Sequence, residues 1–372
     1  YRDPFRDVDV ELTPGANRGE TDLIFKVEDR LPARVFAGYE DTGNQVLGRE
    51  RTFYGFNLNN AFDRDDDLGY QYTTSSDFKA LRAHSIYYTT ALFNRDVWTV
   101  YGSHAEFNAD LGMGVIQDGV TWQVLVRRLR ELEKQGNYEH STQLGFDYKR
   151  TNTNLDFGGA SVFANFGDVV QMMAGYQGLW TEDDSSAFFS TETYFSPGNI
   201  GGRNNGTNYE NIRPGADPGY VYTRLFAQYK EQVCDDLQLV ARFTGQLSEG
   251  NLLPTELLGM GGYSSIRGYD FYSVTGDSGF FINFEAWSRP IYFDESKESA
   301  LQFLSFYDFG NTYTHTVFPG VPRTFDLAGT GVGFRYQHSD KLSVRCDYGW
   351  QIHELPFLPD NSRFHVGVVV SR

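Results

Sequence analysis

The sequence predicts an all-β protein, a sixteen-stranded antiparallel transmembrane β-barrel, and three observations carry that reading. Aromatic residues reach 16% of the chain, with 24 Tyr and 31 Phe, although the hydrophobic fraction is only 40% and the mean hydropathy is -0.46. Segment after segment alternates apolar and polar side chains with period two, over roughly the 9 to 11 residues that a tilted strand needs to cross a bilayer. The connections alternate too, long loops with short acidic turns. A lipid-facing barrel requires all three features: its strands turn apolar residues outward and polar ones inward, aromatic girdles line both rims, and long loops lie on one side only. Disorder requires few aromatics and is excluded. No stretch approaches the roughly 20 apolar residues of a helical span, so any crossing is by closed strands.

Along the chain, residues 7–13 and 21–28 read first as two short strands joined by a turn around Pro14, Gly15 and Asn17, with Leu31 and Pro32 as the junction to the barrel. So small a hairpin buries little core alone, which divides the chain into 1–31, the tail of a preceding periplasmic domain, and 32–372, the barrel. The chain opens at Tyr1 without Met or a signal-peptide pattern and is expected to be a mature or truncated form of an exported protein. Between turn signals, sixteen strands are expected near 33–40, 49–59, 68–77, 84–93, 97–107, 119–131, 140–150, 162–181, 186–195, 220–232, 237–247, 279–293, 300–310, 326–337, 342–352 and 363–371. The sixth has an alternative, because VLVRRLRELE at 124–133 also reads as a helical turn.

Alternation assigns the faces. In the fifteenth strand Leu342, Val344, Cys346, Tyr348 and Trp350 oppose Ser343, Arg345, Asp347, Gly349 and Gln351, lipid outside and water inside. The same parity turns Tyr54, Phe56, Phe334 and Tyr336 to lipid, and Arg242, Arg335, Arg345 and Asp347 to the lumen. A soluble sandwich alternates as well, but with denser outward charge and shorter strands. An even strand number puts both termini on one side. The long loops 196–219 and 248–278 belong outside, the acidic turns 63–67, 182–184 and 234–236 in the periplasm, and both termini therefore in the periplasm of a bacterial outer membrane.

Other chemistry finds little footing. The net charge of -17 argues against nucleic acid, whose binding surface needs Lys and Arg to displace counterions. Asp63, Asp65 and Asp67 have the opening spacing of a calcium loop, but Leu68 stands where Gly is needed and Thr74 where the bidentate Glu belongs. Gly259, Gly261 and Gly262 lack the Lys-Ser or Lys-Thr of a phosphate cradle and read better as a sharply bent loop. The seven His are scattered, without zinc spacing. No Ser lies in a G-x-S-x-G elbow. The expectation is no cofactor, no metal and no catalytic residues, although a dispersed Ser or Asp/His site at a rim stays open. Cys234, beside an acidic turn, and Cys346, within a strand, are not expected to pair.

Four pieces of the sequence resemble the superfamily of outer-membrane translocators that join periplasmic POTRA domains to a sixteen-stranded barrel, the BamA/TpsB type. VDVELTPGANRGETDLIFKVEDRLP at 8–32 is similar to the last POTRA hairpin running into the first barrel strand. GGYSSIRGYD at 261–270 resembles the signature V/I-R-G-Y/F motif at the tip of a loop folded back into the barrel, carried here by Gly261, Gly262, Ile266, Arg267, Gly268 and Tyr269. FYDFGNTY at 306–313 resembles the paired Asp-x-Gly motif, and the distance from these motifs to the end of the chain fits the closing strands. Residues 32–62 are similar to the opening strands of two-partner secretion transporters of the ShlB/FhaC kind. The chain departs from many barrels in ending on Arg372, not on an aromatic residue.

The resemblance implies a monomeric barrel in outer-membrane lipid, exporting an unfolded polypeptide partner. A barrel-assembly insertase of the same superfamily and a passive porin are the alternatives. It also implies that the long loop carries Arg267 into the barrel, where an unpaired guanidinium is costly. Parity places Asp308 and Glu285 inward, so an Arg267–Asp308 lock is expected, with Glu285 nearby, Gly268 and Gly310 permitting close approach, and Tyr269 packing the tip against the wall.

Overall fold

The computed structural model describes residues 6–14, 21–29, 32–44, 46–62, 64–92, 96–112, 115–157, 160–355 and 360–372. Arg6–Pro14 and Thr21–Asp29 form a two-stranded antiparallel ribbon. The expected turn around Gly15 and Asn17, and Leu31 of the junction, fall outside the described residues, as does Asp63 of the first acidic turn.

The barrel is built from β1 (Ala33–Glu40), β2 (Arg51–Ala61), β3 (Asp66–Ser75), β4 (Leu81–Leu92), β5 (Asp96–Gly112), β6 (Val115–Glu131), β7 (Tyr138–Phe157) and β8 (Ala160–Thr181). It continues through β9 (Ser185–Pro197), β10 (Gly219–Cys234), β11 (Leu237–Ser248), β12 (Ser278–Ser288), β13 (Ser299–Tyr313), β14 (Thr324–His338), β15 (Leu342–Gln351) and β16 (Ser362–Ser371). Every neighbour is antiparallel and β16 pairs β1, so the sixteen-stranded sheet closes. Closure leaves no unpaired edge for lipid, which cannot hydrogen-bond one.

Residues 124–130 continue β6 and form no helical turn, because each is paired on both sides, to β5 and to β7. The longest strands are β5 to β8, at 17, 17, 20 and 22 residues, well beyond what a bilayer needs. The extra residues lie at the end of the long loops, past the reach of the apolar alternation, which is why β5 and β7 run further than the sequence suggests. β12 is shorter than expected. It ends at Ser288 because Arg289 precedes Pro290, which has no N–H to continue the ladder; a two-residue strand, Ile291–Tyr292, then pairs β13. The closing seam is brief, five registered pairs from Gly367↔Glu40 to Ser371↔Phe36, against fifteen between β13 and β14.

The outward wall is apolar and uncovered: Tyr54 is 46% exposed and Trp350 45%, with Phe284, Tyr307 and Phe364 similar. For a soluble protein this would be a severe liability; for a lipid-facing wall it is the required surface. Inside, two loops fill the lumen. The β9–β10 connection carries α1 (Gly206–Ile212), started by Asn205, whose side chain accepts from the Asn208 N–H at 2.9 Å. The β11–β12 connection, residues 249–277, folds inward over it. Their buried side chains form two apolar clusters against the inward faces of the strands, one around Tyr209, Leu252 and Leu253, the other around Met260, Ile266 and Tyr269 with Leu327 of β14.

Candidate functional site

The inward β11–β12 loop is a narrow ribbon, Leu258–Met260 paired with Val274–Gly276, that carries a tight tip at 261–273. Gly261, Gly262 and Gly268 sit at φ 106, 96 and 98, left-handed conformations that side chains with a Cβ rarely adopt, so the tip turns where these glycines fall. Ile266 and Tyr269, both fully buried, seat it in the second apolar cluster. The Tyr269 hydroxyl reaches the carbonyls of Ala328 at 2.9 Å and His353 at 2.5 Å, so the buried phenol is satisfied against the wall.

Arg267 is 2% exposed and meets Asp308 through two parallel hydrogen bonds, Nε to Oδ2 and Nη2 to Oδ1, both 2.8 Å. Its backbone N–H donates to the same carboxylate at 3.0 Å. Its remaining nitrogen, Nη1, lies 2.8 Å from Glu285 and 3.8 Å from Asp347. Beneath it the Phe306 ring lies 3.6 Å from the guanidinium carbon, a cation–π contact within a desolvated site. Arg242 pairs Glu285 at 3.0 Å, and Arg335 forms a fork with Asp347 at 2.7 and 2.8 Å. Three guanidinium groups thus face three carboxylates. Planar forks meeting carboxylates are the strong form of this contact, and Lys cannot reproduce it.

Close approach depends on missing side chains. A Cβ on Gly329 or Gly349 would strike the backbone of Arg267 and Gly268, and one on Gly310 would strike Met260 and the backbone of Phe280. Beyond the lock, the tip reaches the barrel seam. The Tyr263 ring lies 3.9 Å from the Arg345 guanidinium, and Arg345 stretches across Gly367 to Glu40 of β1 at 2.8 Å. Asp270 pairs with Arg363 of β16, which also reaches Asp41 just after β1 at 3.3 Å. The Gly268 N–H donates to His365 Nε2 at 3.1 Å, again on β16. Loop, last strand and first strand are therefore tied by one chain of charged contacts.

Arg267, Asp308, Glu285, Asp347, Arg242 and Arg335 come together in this way, whereas Arg345 stands apart at the seam. The sequence reading did not single out Asn283, which donates to Asp308 at 2.8 Å, nor Phe306, His365 or Glu256. Parity was the available signal for the first three, each on the inward face of its strand. Glu256, within the loop, gave no such signal: it is fully buried and is held by Lys149 at 2.8 Å, Gln171 at 3.1 Å and Tyr222 at 2.7 Å. Both cysteines are free, and the described residues hold no cluster of metal-ligating side chains.

The fold and the site together define a closed β-barrel with a long loop folded inward and clamped at its tip by wall carboxylates. The chain belongs to the haemolysin secretion/activation protein ShlB/FhaC/HecB family, whose profile matches residues 19–336. It is 21% identical over 345 residues to the heme/hemopexin transporter protein HuxB of Haemophilus influenzae, covering 90% of this chain and 59% of that one. It is 23% identical over 379 residues to the outer membrane transporter CdiB of Dickeya dadantii, covering 94% and 62%. The solved structure of CdiB from Escherichia coli has the same fold, with a TM-score of 0.85 at 15% identity over 98% of this chain and 67% of that one. The chain thus spans about three fifths of the length of the curated relatives it matches.

Proposed function

We propose that this chain is the outer-membrane pore of a two-partner-secretion transporter, which passes an unfolded polypeptide partner through a lumen that the 249–277 loop plugs at rest. The observation that carries the reading is the clamp on Arg267. A structural plug needs only apolar filling; this one is held by a charged network in which every member is hydratable once the loop withdraws, as a gate in an aqueous channel must be. Family membership supports secretion above barrel insertion, and a passive porin has no need of a clamped tip.

In this reading 32–372 is a monomeric barrel in outer-membrane lipid, the ribbon in 1–31 is the last hairpin of a periplasmic POTRA domain, and both termini are periplasmic. Arg242, Arg335, Arg345 and Asp347 line the export path, and the protein works without a cofactor. The test is the set of proteins released by cells with and without the gene, read by mass spectrometry, alongside single-channel recording of the purified protein. One or a few large proteins lost from the medium, with a flickering and mostly closed channel, is expected. An unchanged medium with a steadily open, small-solute-selective pore would make it a porin; loss of many outer-membrane barrels from the envelope would make it an insertase.

A further inference from the structure

The inward loop has a second anchor, on a different arc of the wall, that the tip clamp does not need. Leu252 and Leu253 are fully buried in a groove lined by Val169, Met173, Tyr194, Tyr220 and Tyr222. The Tyr194 and Tyr222 rings stack with centroids 4.7 Å apart and planes 11° from parallel. Three residues beyond Leu253, the Glu256 carboxylate accepts from Lys149 Nζ at 2.8 and 3.0 Å, from Gln171 at 3.1 Å and from the Tyr222 hydroxyl at 2.7 Å. The backbone is read as well: Arg224 and Gln246 of the wall donate to the Glu256 carbonyl at 3.2 and 3.0 Å, and Arg213 of the β9–β10 loop donates to that of Leu252. Leu253 and Leu257 are extended on either side of the single 3-10 turn Pro254–Glu256.

This is how a receptor holds a peptide, with donors on the main chain, an apolar slot for an aliphatic pair and a polar cage for one carboxylate. Stability alone does not call for it, since a buried ion pair is often no better than well-packed apolar residues of the same volume. A wall that is to be vacated and refilled must instead stay compatible with water when empty, and Lys149, Gln171 and the tyrosine hydroxyls are. We infer that the groove is a polypeptide-binding site in which residues 251–258 stand in for a segment of the exported chain: an aliphatic pair followed within one turn by an acidic side chain. The inference rests on the export reading and names the chemistry that the pore would recognise in its cargo.

A loop tethered beside its groove competes at an effective concentration of about a millimolar, so a free peptide enters only when the loop is out. The experiment measures anisotropy of a fluorescent peptide with the sequence of residues 250–258 against the full-length protein in detergent. The proteins are wild type, Leu253→Asp and, separately, Glu256→Lys, both changes being on the loop and neither on the wall. Heat-modifiable gel mobility shows that each barrel is folded. Binding at least tenfold tighter to either loop variant than to wild type is expected. In the Leu253→Asp background, Lys149→Ala, or replacing the peptide's Glu with Ala, should each weaken binding by roughly the tenfold or more that one charge-assisted hydrogen bond supplies. Equal binding to wild type and both loop variants, or binding indifferent to Lys149 and to the peptide carboxylate, overturns the inference. The readout does not depend on export. A protein that exports but fails these tests loses only the groove, whereas one that binds as described yet releases no partner from cells loses the export reading and the groove's assignment with it.

Discussion

Replacing Arg267 with Ala removes a side chain that the structure ties down at every nitrogen. Asp308 loses both of its side-chain bonds from Arg267 and keeps the Arg267 backbone N–H and Asn283; Glu285 keeps Arg242, and Asp347 keeps Arg335. One carboxylate therefore stays buried and under-paired. Breaking a buried pair by deleting one partner costs about 3–5 kcal/mol, and the cost falls on the plugged state alone if the withdrawn loop exposes these groups to water. At about 1.4 kcal/mol per tenfold, the ratio of unplugged to plugged channels should rise by roughly two to three and a half orders of magnitude. The assay is the open fraction in single-channel recordings, with heat-modifiable mobility as the check that the barrel is intact. Arg267→Lys should fall between, since it keeps the charge but loses the fork. Asp308→Ala combined with Arg267→Ala should open the channel less than the two single effects summed, because neither charge is then left alone. An Arg267→Ala channel that gates like wild type in a folded barrel refutes the reasoning.

Other outcomes rest on the same structure. Gly349→Val should phenocopy Arg267→Ala with the charges untouched, because a side chain there occupies the space of the Gly268 backbone; unchanged gating would show that the tip does not sit so close. Glu40→Gln should lower thermal stability by no more than about 1 kcal/mol, since its pair with Arg345 is part-exposed, and a loss as large as that from the clamp would contradict this ranking. Spin labels at Tyr54, Phe56, Phe334, Tyr336, Tyr348 and Trp350 should be accessible to oxygen and shielded from polar relaxants, the reverse pattern refuting the assigned faces. In the turn after β3, the Ser75 hydroxyl and the N–H groups of Lys79 and Ala80 hold the Asp77 carboxyl at about 2, below its ordinary 3.8. Its contribution is thus complete above about pH 4 and fades as pH falls towards 2, so the Lys79 and Ala80 amides should keep their exchange protection at pH 3; loss of protection centred near pH 4 would contradict the assignment.

The number of strands and their order were legible because the strands alternate apolar and polar side chains, the contrast that a wall between lipid and water demands, and period two records it residue by residue. Where that contrast ends, legibility ends: the sequence of β5 beyond residue 107 and of β7 beyond residue 150 lacks the apolar alternation, and nothing in it marks the point at which pairing stops. The lock pair was reachable because the resemblance brought Arg267 inward and parity left few carboxylates to receive it. The register that sets Asn283 opposite Asp308, and the ring of Phe306 under the guanidinium, depends on how far neighbouring strands are staggered, which local pattern does not encode. The Glu256 anchor was least legible of all. It joins a loop residue to β7, β8 and β10 across more than a hundred positions of sequence in the case of Lys149, and a loop glutamate looks solvated until its partners are known.

Whether polypeptide passes through the lumen once the loop yields can be read with a photo-crosslinking amino acid placed on either face of the wall. Position 242 faces the lumen, and position 284 is exposed on the outer face of the wall. Passage through the lumen gives, in secreting cells, adducts to the exported polypeptide from position 242 and none from position 284, with the lumen adducts increasing when Arg267 is replaced by Ala. Export that proceeds with adducts only from position 284, or with none from the lumen, would contradict it.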